Sequence, residues 1–467
     1  MQRRLVVIMS VILTISLCCT YITLDILDIA PGYLSYKSAS NVLQEQNEEI
    51  LASGNYAGTL KSAAIDKHLV EQYVNEFLDQ TNHKDDVSVI IGDESGNILS
   101  SVNADTLREP ASVLKTVTAL AAASTLDMGS TLDTEVYLKY EQNNEATLIL
   151  KGNGDMLLGS GASDSTHING RAGLETLAKK TAYSLSQRGV KKIKLAYDDS
   201  LFEDNRTPEH IGSNNDENRY YTPVSSMAID GGRQWNGSAP ANPDSFSDYP
   251  VLSTNTAADV ASMFKQRLQE QGVEIDGDIS RLTVKKGSPI ASVQSASLHE
   301  IMAFMMRHSD NTLAEEFGRL TALKLQTENS PAGAVQAVKK ALEKYNINTT
   351  ELHMNDCSGL SEGTRVSPST LFEIQVQNLK ANGAASAAEG LSVPGLIGTA
   401  RRRIIDERDK GLLRVKTGTL SSTTSMTGTA TRVNGGAIVF TILVNNSSGI
   451  YVDAHYIDVL LSKLVSL

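Results

Sequence analysis

Glu109-Pro110-Ala111-Ser112-Val113-Leu114-Lys115-Thr116 opens an apolar, alanine-rich run that reaches about Leu126. Proline has no amide hydrogen to leave unpaired in a first helical turn, and its φ is already near the helical value, so Pro110 predicts the start of a helix. On that helix Ser112 and Lys115 stand three residues apart and share a face. A hydroxyl beside an amine, at the positive end of a helix dipole, suits an attacking oxygen and the charge it develops. The pair is a candidate acyl-transfer nucleophile with its own base.

The spacing alone decides little, because Ser-x-x-Lys is expected by chance roughly twice in a chain of this length. It occurs again at Ser262 and Lys265, inside Ala257-Ala258-Asp259-Val260-Ala261-Ser262-Met263-Phe264-Lys265-Gln266-Arg267-Leu268. The apolar spacing there is that of a half-exposed helix with solvated Lys and Arg. Val117, Ala119, Leu120, Ala121, Ala122 and Ala123 after the first pair are instead apolar nearly all round, as in a helix buried within a domain.

The chain has 467 residues, 41% of them hydrophobic, and a formal net charge of −12. That length allows more than one domain, and the charge argues against binding nucleic acid or anionic lipid through a basic surface. Arg3 and Arg4 precede residues 5–24, which carry no charge and are long enough to cross a bilayer as a helix. The run ends Ser16-Leu17-Cys18-Cys19-Thr20-Tyr21, without an Ala-x-Ala exit, so an uncleaved signal anchor is preferred to a removed signal peptide. Residues 1–4 are then cytoplasmic and the bulk of the protein lies outside the membrane. Only Cys357 remains beyond this segment, which leaves no intrachain disulfide and no cysteine-based zinc site to stabilise the exported part. The histidines lack ligand spacing, so neither a metal nor a cofactor is expected, and His299 and His308 read as helix-surface residues.

Residues 25–63 are polar and read as a stalk, followed by a helix at about 64–78. Residues 87–91 and 97–102 alternate β-formers around Gly92-Asp93-Glu94-Ser95-Gly96, which predicts a hairpin. Between 138 and 292 the texture changes to short β segments, Asn/Asp/Gly-rich loops and isolated helices such as 171–188. That block reads as a smaller, mainly-β domain inserted into a catalytic domain of residues 64–137 and 293–467. Helical patterns return at 298–306 and 312–325. Leu413-Arg414-Val415-Lys416, residues 425–431 and residues 437–444 predict three antiparallel strands, with a closing helix at 452–464. A hairpin at the start and strands at the end imply one shared sheet in an α/β (α+β) fold.

Two tripeptides resolve the choice of serine. Ser309-Asp310-Asn311 falls between two predicted helices, and Lys416-Thr417-Gly418 lies on the first terminal strand, followed by Thr419. Both together, in this order after a Ser-x-x-Lys, are expected in about one chain in a hundred. With these three motifs the chain resembles the penicillin-binding proteins and class A β-lactamases. The parts suit acyl transfer. Ser112 supplies the oxygen, and Lys115 can take its proton if burial and the cation Lys416 lower its pKa. Ser309 can relay a proton to the leaving nitrogen, while Asn311 can bind a substrate amide and hold Lys115. Lys416 and Thr417 offer a cation and a hydroxyl to a carboxylate, Gly418 lets a substrate backbone lie against the strand, and the amides of Ser112 and Thr419 can bind the oxyanion.

The likeness extends from about Val87 to the end, and is closest to the class C low-molecular-mass penicillin-binding proteins, the D-alanyl-D-alanine carboxypeptidase/endopeptidase family. Lys151-Gly152-Asn153-Gly154-Asp155, Tyr221-Thr222-Pro223-Val224-Ser225-Ser226-Met227, Asp356-Cys357-Ser358-Gly359-Leu360-Ser361 and Pro394-Gly395-Leu396-Ile397-Gly398-Thr399 carry it. The resemblance implies a transpeptidase-like five-stranded antiparallel sheet flanked by helices, an all-helical lobe, and an inserted region between the first two motifs. It implies a serine acyl-enzyme that releases terminal D-alanine from peptidoglycan stem peptides or cuts a cross-link, with β-lactams as covalent inhibitors. Asp216 aligns with an acidic residue that in relatives reads the free amine of the peptide's third residue; the plainer reading is a solvated loop acid. Cys357 stands where the family pattern suggests Gly, which would bring a free thiol towards the site. Arg401-Arg402-Arg403 reads as a salt-paired helix face, with anionic wall polymer as the alternative. Rival functions are a β-lactamase, for which no class A Glu motif follows the Ser-Asp-Asn, and a sensor module that β-lactams acylate without turnover.

Overall fold

The computed structural model describes residues 2–26, 64–81, 83–140, 146–237, 239–380, 385–403 and 406–467, in two units, Met1–Ser62 and Ala63–Leu467. In the first, Gln2–Ile26 is helix α1. Among the described residues no helix is long and apolar enough to cross a membrane, and the side chains of residues 1–8, 12, 25 and 26 fall outside the description. Of the stalk expected over residues 25–63, residues 25 and 26 end α1 and residues 27–63 lie outside the described residues.

The second unit is organised on a sheet that joins both ends of its chain. The hairpin β1 (Val87–Asp93) and β2 (Ile98–Val102) pairs through β1 with a later strand, Val87 opposite Val444 and Asp93 opposite Ile438. With β13 (Leu413–Leu420), β14 (Thr423–Thr431) and β15 (Ala437–Val444), the order is β13-β14-β15-β1-β2, antiparallel throughout. β15 is apolar along its whole length because both of its faces are covered. Ile438, Phe440 and Ile442 face Val74 and Phe77 of α2 (Lys67–Gln80) and Ile457, Leu460 and Leu464 of α11 (Ile450–Val465). Val439 and Leu443, one step out of phase, meet α9 (Pro368–Asn378) and the cluster around α3 (Lys115–Ala123).

All nine residues of α3 are buried, which accounts for its lack of a polar stripe. Ala119 and Ala122 pack with Met302 and Phe304 of α6 (Leu298–His308) and Phe317 of α7 (Asn311–Leu325). Val117, Leu120 and Ala121 pack instead with Ala334 and Val338 of α8 (Pro331–Leu342) and Leu371 and Ile374 of α9. A short helix, α10 (Ala385–Glu389), adds Ala387 to the first of these clusters.

A second sheet is built from β3 (Thr134–Tyr140), β4 (Ala146–Gly152), β6 (Lys192–Asp198), β8 (Glu274–Ile275) and β10 (Ala291–Val293), in the order β10-β3-β4-β6-β8, with β9 (Ser280–Arg281) also on β6. β3 and β4 are antiparallel, whereas β6 runs parallel to β4. Helices α4 (Leu174–Ser186) and α5 (Thr256–Glu270) bury Leu177, Ala178, Val260 and Phe264 against it. β5 (Asp155–Leu158) and β7 (Met227–Ile229) form a separate parallel pair, and β11 (Leu352–His353) and β12 (Arg365–Val366) a short antiparallel one. Within α5, Ser262 is exposed and bonds its own helix at Ala258, and Lys265 reaches the Gly277 carbonyl, as a surface Ser-x-x-Lys should.

Phe440→Ala removes a ring between two helices and the sheet and is expected to cost about 3–5 kcal/mol of stability, read from the urea midpoint by circular dichroism. Val433→Ala, at a position 68% exposed, is expected to stay within about 0.5 kcal/mol.

Candidate active site

Ser112 lies in a 3₁₀ turn, Ala111–Leu114, and not on the α-helix itself, which starts only at Lys115. The sheet holds the chain before the helix can begin. Glu109 exchanges backbone bonds with the Asn445 side chain, and the Pro110 carbonyl accepts from Ser425 Oγ at 2.7 Å. Ala111 then takes a left-handed φ of +52°, which costs an L-residue roughly 1–2 kcal/mol. In a 3₁₀ turn residues three apart eclipse, which lines up Ser112 with Lys115 more closely than an α-helix would. Lys115 Nζ lies 3.0 Å from Ser112 Oγ.

The Lys115 amine has two further partners, Asn311 Oδ1 at 2.6 Å and the Ser358 carbonyl at 2.9 Å. It is fully buried, and no carboxylate among the described residues touches it. Burial lowers its pKa to about 7, against the opposing pull of Asp356 and Asp310. A group that titrates near neutrality exists substantially as free amine, the form that can accept a proton.

Ser309 also has a left-handed backbone, φ +56°, at the end of α6, and Asp310 follows as the N-cap of α7, accepting from Leu313 N. The turn is thus both a helix cap and the seat of the second motif. Lys416 Nζ bonds Ser309 Oγ at 2.9 Å and the Thr417 carbonyl at 2.8 Å, and burial first, then Lys115, drives its pKa well down. The three motifs therefore meet: Lys115 bridges Ser112 to Asn311, and Lys416 bridges Ser309 to β13. Thr417 Oγ1 is 2.7 Å from Thr399 Oγ1. A Cβ placed on Gly418 would stand 2.2 Å from Ser425 Oγ, 2.8 Å from the Pro110 carbonyl and 3.0 Å from Ser112 N, so only glycine allows β13 this close to the serine. Thr419 follows, exposed at the open edge of the sheet.

Asp216 is not gathered into this cluster. It lies exposed in a 3₁₀ turn, and its side chain makes no hydrogen bond or ion pair among the described residues. Its neighbours tie the loop down. Asn214 Nδ2 donates to the Leu360 carbonyl, Asn215 Oδ1 accepts from Tyr220 N and Tyr221 N, and Asn311 Nδ2 donates to the Tyr220 carbonyl at 2.8 Å.

Several contributors were not singled out as site residues, although Asp356 to Ser361 is one of the stretches that carry the family likeness. Asp356 accepts from the amides of Ser358, Gly359, Leu360 and Ser361, and this Asx-type knot presents the Ser358 carbonyl to Lys115. Arg233 donates to Asp310 at 2.7 Å while its guanidinium sits 4.4 Å from the Phe246 ring centre, clamping the second motif from outside. Neither Arg233 nor Tyr220 lies in any recognisable pattern.

Three expectations need correction. Cys357 does not approach the site: it is fully buried, its amide bonds Glu315, and its sulfur packs against Gly318 of α7. Burial and the nearby Glu315 push its thiol pKa well up. Arg401 to Arg403 are not a salt-paired helix face, because Gly398 with φ +80° starts a turn there. Among the described residues only Arg403 of the three finds a carboxylate, Asp458 at 2.9 Å. His308 is no surface residue: its ring stacks on Phe246 at 4.3 Å and its Nε2 lies 3.0 Å from the Asp244 carbonyl oxygen, whereas His299 is exposed and pairs with Glu389 at 3.0 Å.

The fold is similar to that of penicillin binding protein 4 (dacB) from Haemophilus influenzae, with a TM-score of 0.69 and 20% identity over 84% of this chain and 99% of that one. The penicillin-binding class of fold is thereby defined. Carboxypeptidase DacB of Mycolicibacterium smegmatis is 30% identical over 350 residues, 73% of this chain and 72% of the relative. D-alanyl-D-alanine carboxypeptidase of an Actinomadura species is 29% identical over 217 residues, 43% and 39% of the two chains. The model of the D-Ala-D-Ala carboxypeptidase 3 (S13) family matches residues 70–246 and 235–459, and the chain belongs to that family.

Gly418→Ala forces either β13 or the Ser112 turn to move and is expected to slow labelling by a fluorescent penicillin at least about a hundredfold, since small misplacements of reacting groups cost that much. Unchanged labelling would show that the close approach of β13 to Ser112 is not required.

Proposed function

We propose that the protein is a serine-type D-Ala-D-Ala carboxypeptidase of the cell envelope that works through an acyl-enzyme on Ser112. The observation that carries the reading is the buried Lys115 amine, hydrogen-bonded to Ser112 and without a carboxylate partner among the described residues. In the first half-reaction Lys115 takes the Ser112 proton as Oγ bonds to the carbonyl carbon of the penultimate D-alanine. The amides of Ser112 and Thr419 hold the oxygen that becomes negative. The carbon–nitrogen bond then breaks, and the proton held by Lys115 passes through Ser309, whose hydroxyl lies beside Lys416, to the leaving nitrogen, which restores Lys115 to the free amine. Lys416 and Thr417 hold the carboxylate of the departing residue. In the second half-reaction water gives its hydroxyl to the acyl carbon and its proton, by way of Lys115, returns Ser112 to the alcohol.

The competing β-lactamase reading requires a carboxylate aimed at the acyl-ester water. Asp356 and Asp310 are the acids whose charge acts on Lys115; Asp356 already accepts from backbone amides of the 356–361 loop, and Asp310 from Leu313 N and Arg233. β-lactams are accordingly proposed as inhibitors that acylate Ser112, and stem peptides ending in D-Ala-D-Ala as substrates. Asp216 is proposed as an outer contact for the free amine of the third residue, supported by its exposed place on the loop tied to Leu360 and Asn311. Residues 5–24 are proposed to hold the protein at the outer face of the membrane, supported by their uncharged length behind Arg3 and Arg4.

Ser112→Ala is expected to abolish both penicillin labelling and release of free D-alanine from a synthetic pentapeptide, while Ser262→Ala leaves both intact. Labelling without any D-alanine release by the unaltered protein would make it a sensor and not a hydrolase. Because neutral Lys115 is the reactive form, the acylation rate should climb as pH rises through about 7 and level off above it. A flat profile between pH 5.5 and 8.5 would remove Lys115 from the role of base.

A further inference from the structure

The chain between the first two motifs sends one charged side chain into the second of them. Arg233 follows Asp230, Gly231 and Gly232, a tight turn in which all three take positive φ. The turn folds Arg233 back on Asp230, whose carbonyl accepts from the Arg233 amide at 3.1 Å and from Nη1 at 3.0 Å. Nη1 also lies 3.3 Å from Asp230 Oδ1, and the Asp230 carboxylate is itself fixed by Trp235 Nε1 at 2.6 Å and by Asn169 Nδ2. The guanidinium is covered by rings, 4.4 Å from the centre of Phe246 and 5.9 Å from that of Phe304. With Nη1 occupied in this way, Nη2 donates to Asp310 Oδ2 at 2.7 Å. A planar fork can serve Asp230 and Asp310 at once, which a flexible ammonium does less well.

Asp310 uses its two oxygens separately: Oδ1 caps α7 at Leu313 N, and Oδ2 takes Arg233. The two side chains are only 8% and 11% exposed, so the ion pair is little screened by salt or water. The Asp310 charge also reaches the reaction centre. Asp356 and Asp310 are the two carboxylates that favour the protonated form of Lys115 against the effect of burial. Asp356 is enclosed by backbone amides, whereas Asp310 has Arg233. The other groups around Asp310 do not replace it. Burial lowers the pKa of His308, pushes that of Glu316 well up and raises that of the Tyr249 phenol, so each is favoured in its uncharged form. Lys416, the second amine near Lys115, has its pKa driven down by burial and bonds Ser309 and Thr417. Among the described residues Arg233 alone forms an ion pair with Asp310.

We propose that Arg233 is a positioning residue for the Ser112 reaction: it holds the Asp310 carboxylate, fixes through it the turn that carries Ser309 and Asn311, and keeps that negative charge from acting on the Lys115 amine. The inference rests on the Ser112 reaction above and adds to it a group that touches neither substrate nor nucleophile. Without Arg233 the uncompensated Asp310 charge favours the ammonium form of Lys115, and the base becomes free only at higher pH.

The test is the rate at which a fluorescent penicillin acylates the full chain, followed from about pH 5.5 to about pH 9.5. Arg233→Gln should move the midpoint of the rise upward by at least about half a unit, which slows acylation below the midpoint at least about threefold. Arg233→Lys restores a cation and should give back at least about half of that displacement. Asp310→Asn keeps a good helix cap and should lower the midpoint; added to Arg233→Gln, it should return the midpoint to that of the unaltered protein or below it. An equal loss at every pH with the midpoint unmoved makes Arg233 a structural brace only and overturns the proposal, as does a displacement that neither Arg233→Lys nor Asp310→Asn relieves. Should Arg233→Gln lose cooperative thermal unfolding, Asp310→Asn decides alone, and an unmoved midpoint there overturns the proposal. A flat profile, or no acylation, in the unaltered protein overturns the Ser112 reaction and this inference with it.

Discussion

A lysine amine held out of water, with three oxygen partners and no counter-charge in contact among the described residues, is the constraint on which the rest of the structure depends. Removing a cation from water is costly unless it is paired or gives up its proton, and the fold accommodates Lys115 by the second route as well as by hydrogen bonds. Each of its partners comes from a different place. Ser112 is held by the 3₁₀ turn after Pro110, Asn311 by the junction of two helices, and Ser358 by the Asp356 knot. The amine can therefore be satisfied only when the sheet, the helical lobe and the 356–361 loop are all in place.

The two left-handed residues at the site follow from the same requirement. Ala111 and Ser309 are not glycine, yet both take positive φ, at +52° and +56°. Each sits where the chain must leave one element and deliver a side chain into the cleft within a single residue. Ala111 is enclosed on one side by Gly359, where any Cβ would come within 2.1 Å of the Ala111 carbonyl, and Ser309 is fixed between helices α6 and α7. Strain of this kind persists where surrounding packing over-determines the conformation.

Much of this was legible in the residues. The hairpin, the three terminal strands and the closing helix have unambiguous periodicity, and their pairing follows from β15 being apolar on both faces. The three motifs announce Ser112, Lys115, Ser309, Asn311 and Lys416 because their side chains are chemically distinctive at fixed spacing. Backbone donors and acceptors leave no such mark: the carbonyls of Ser358 and Tyr220 could be supplied by any residue type. The 3₁₀ turn at Ser112 was also hidden, since it arises from bonds to Ser425 and Asn445, more than 300 positions away along the chain. Arg401 and Arg402 were misread because a local charge pattern does not reveal that Gly398 turns the chain away from a helix.

The burial of Cys357 has a practical corollary. In a soluble form lacking residues 1–24 it is the only sulfhydryl, since Cys18 and Cys19 lie within that segment. Its sulfur fits against Gly318, and its carbonyl accepts from Thr118 of α3, so alkylating reagents gain access only when α7 and the loop behind Lys115 part. The thiol is thus a single chemical tag beneath the candidate site, and the pace at which it is modified measures how often the packing around it opens.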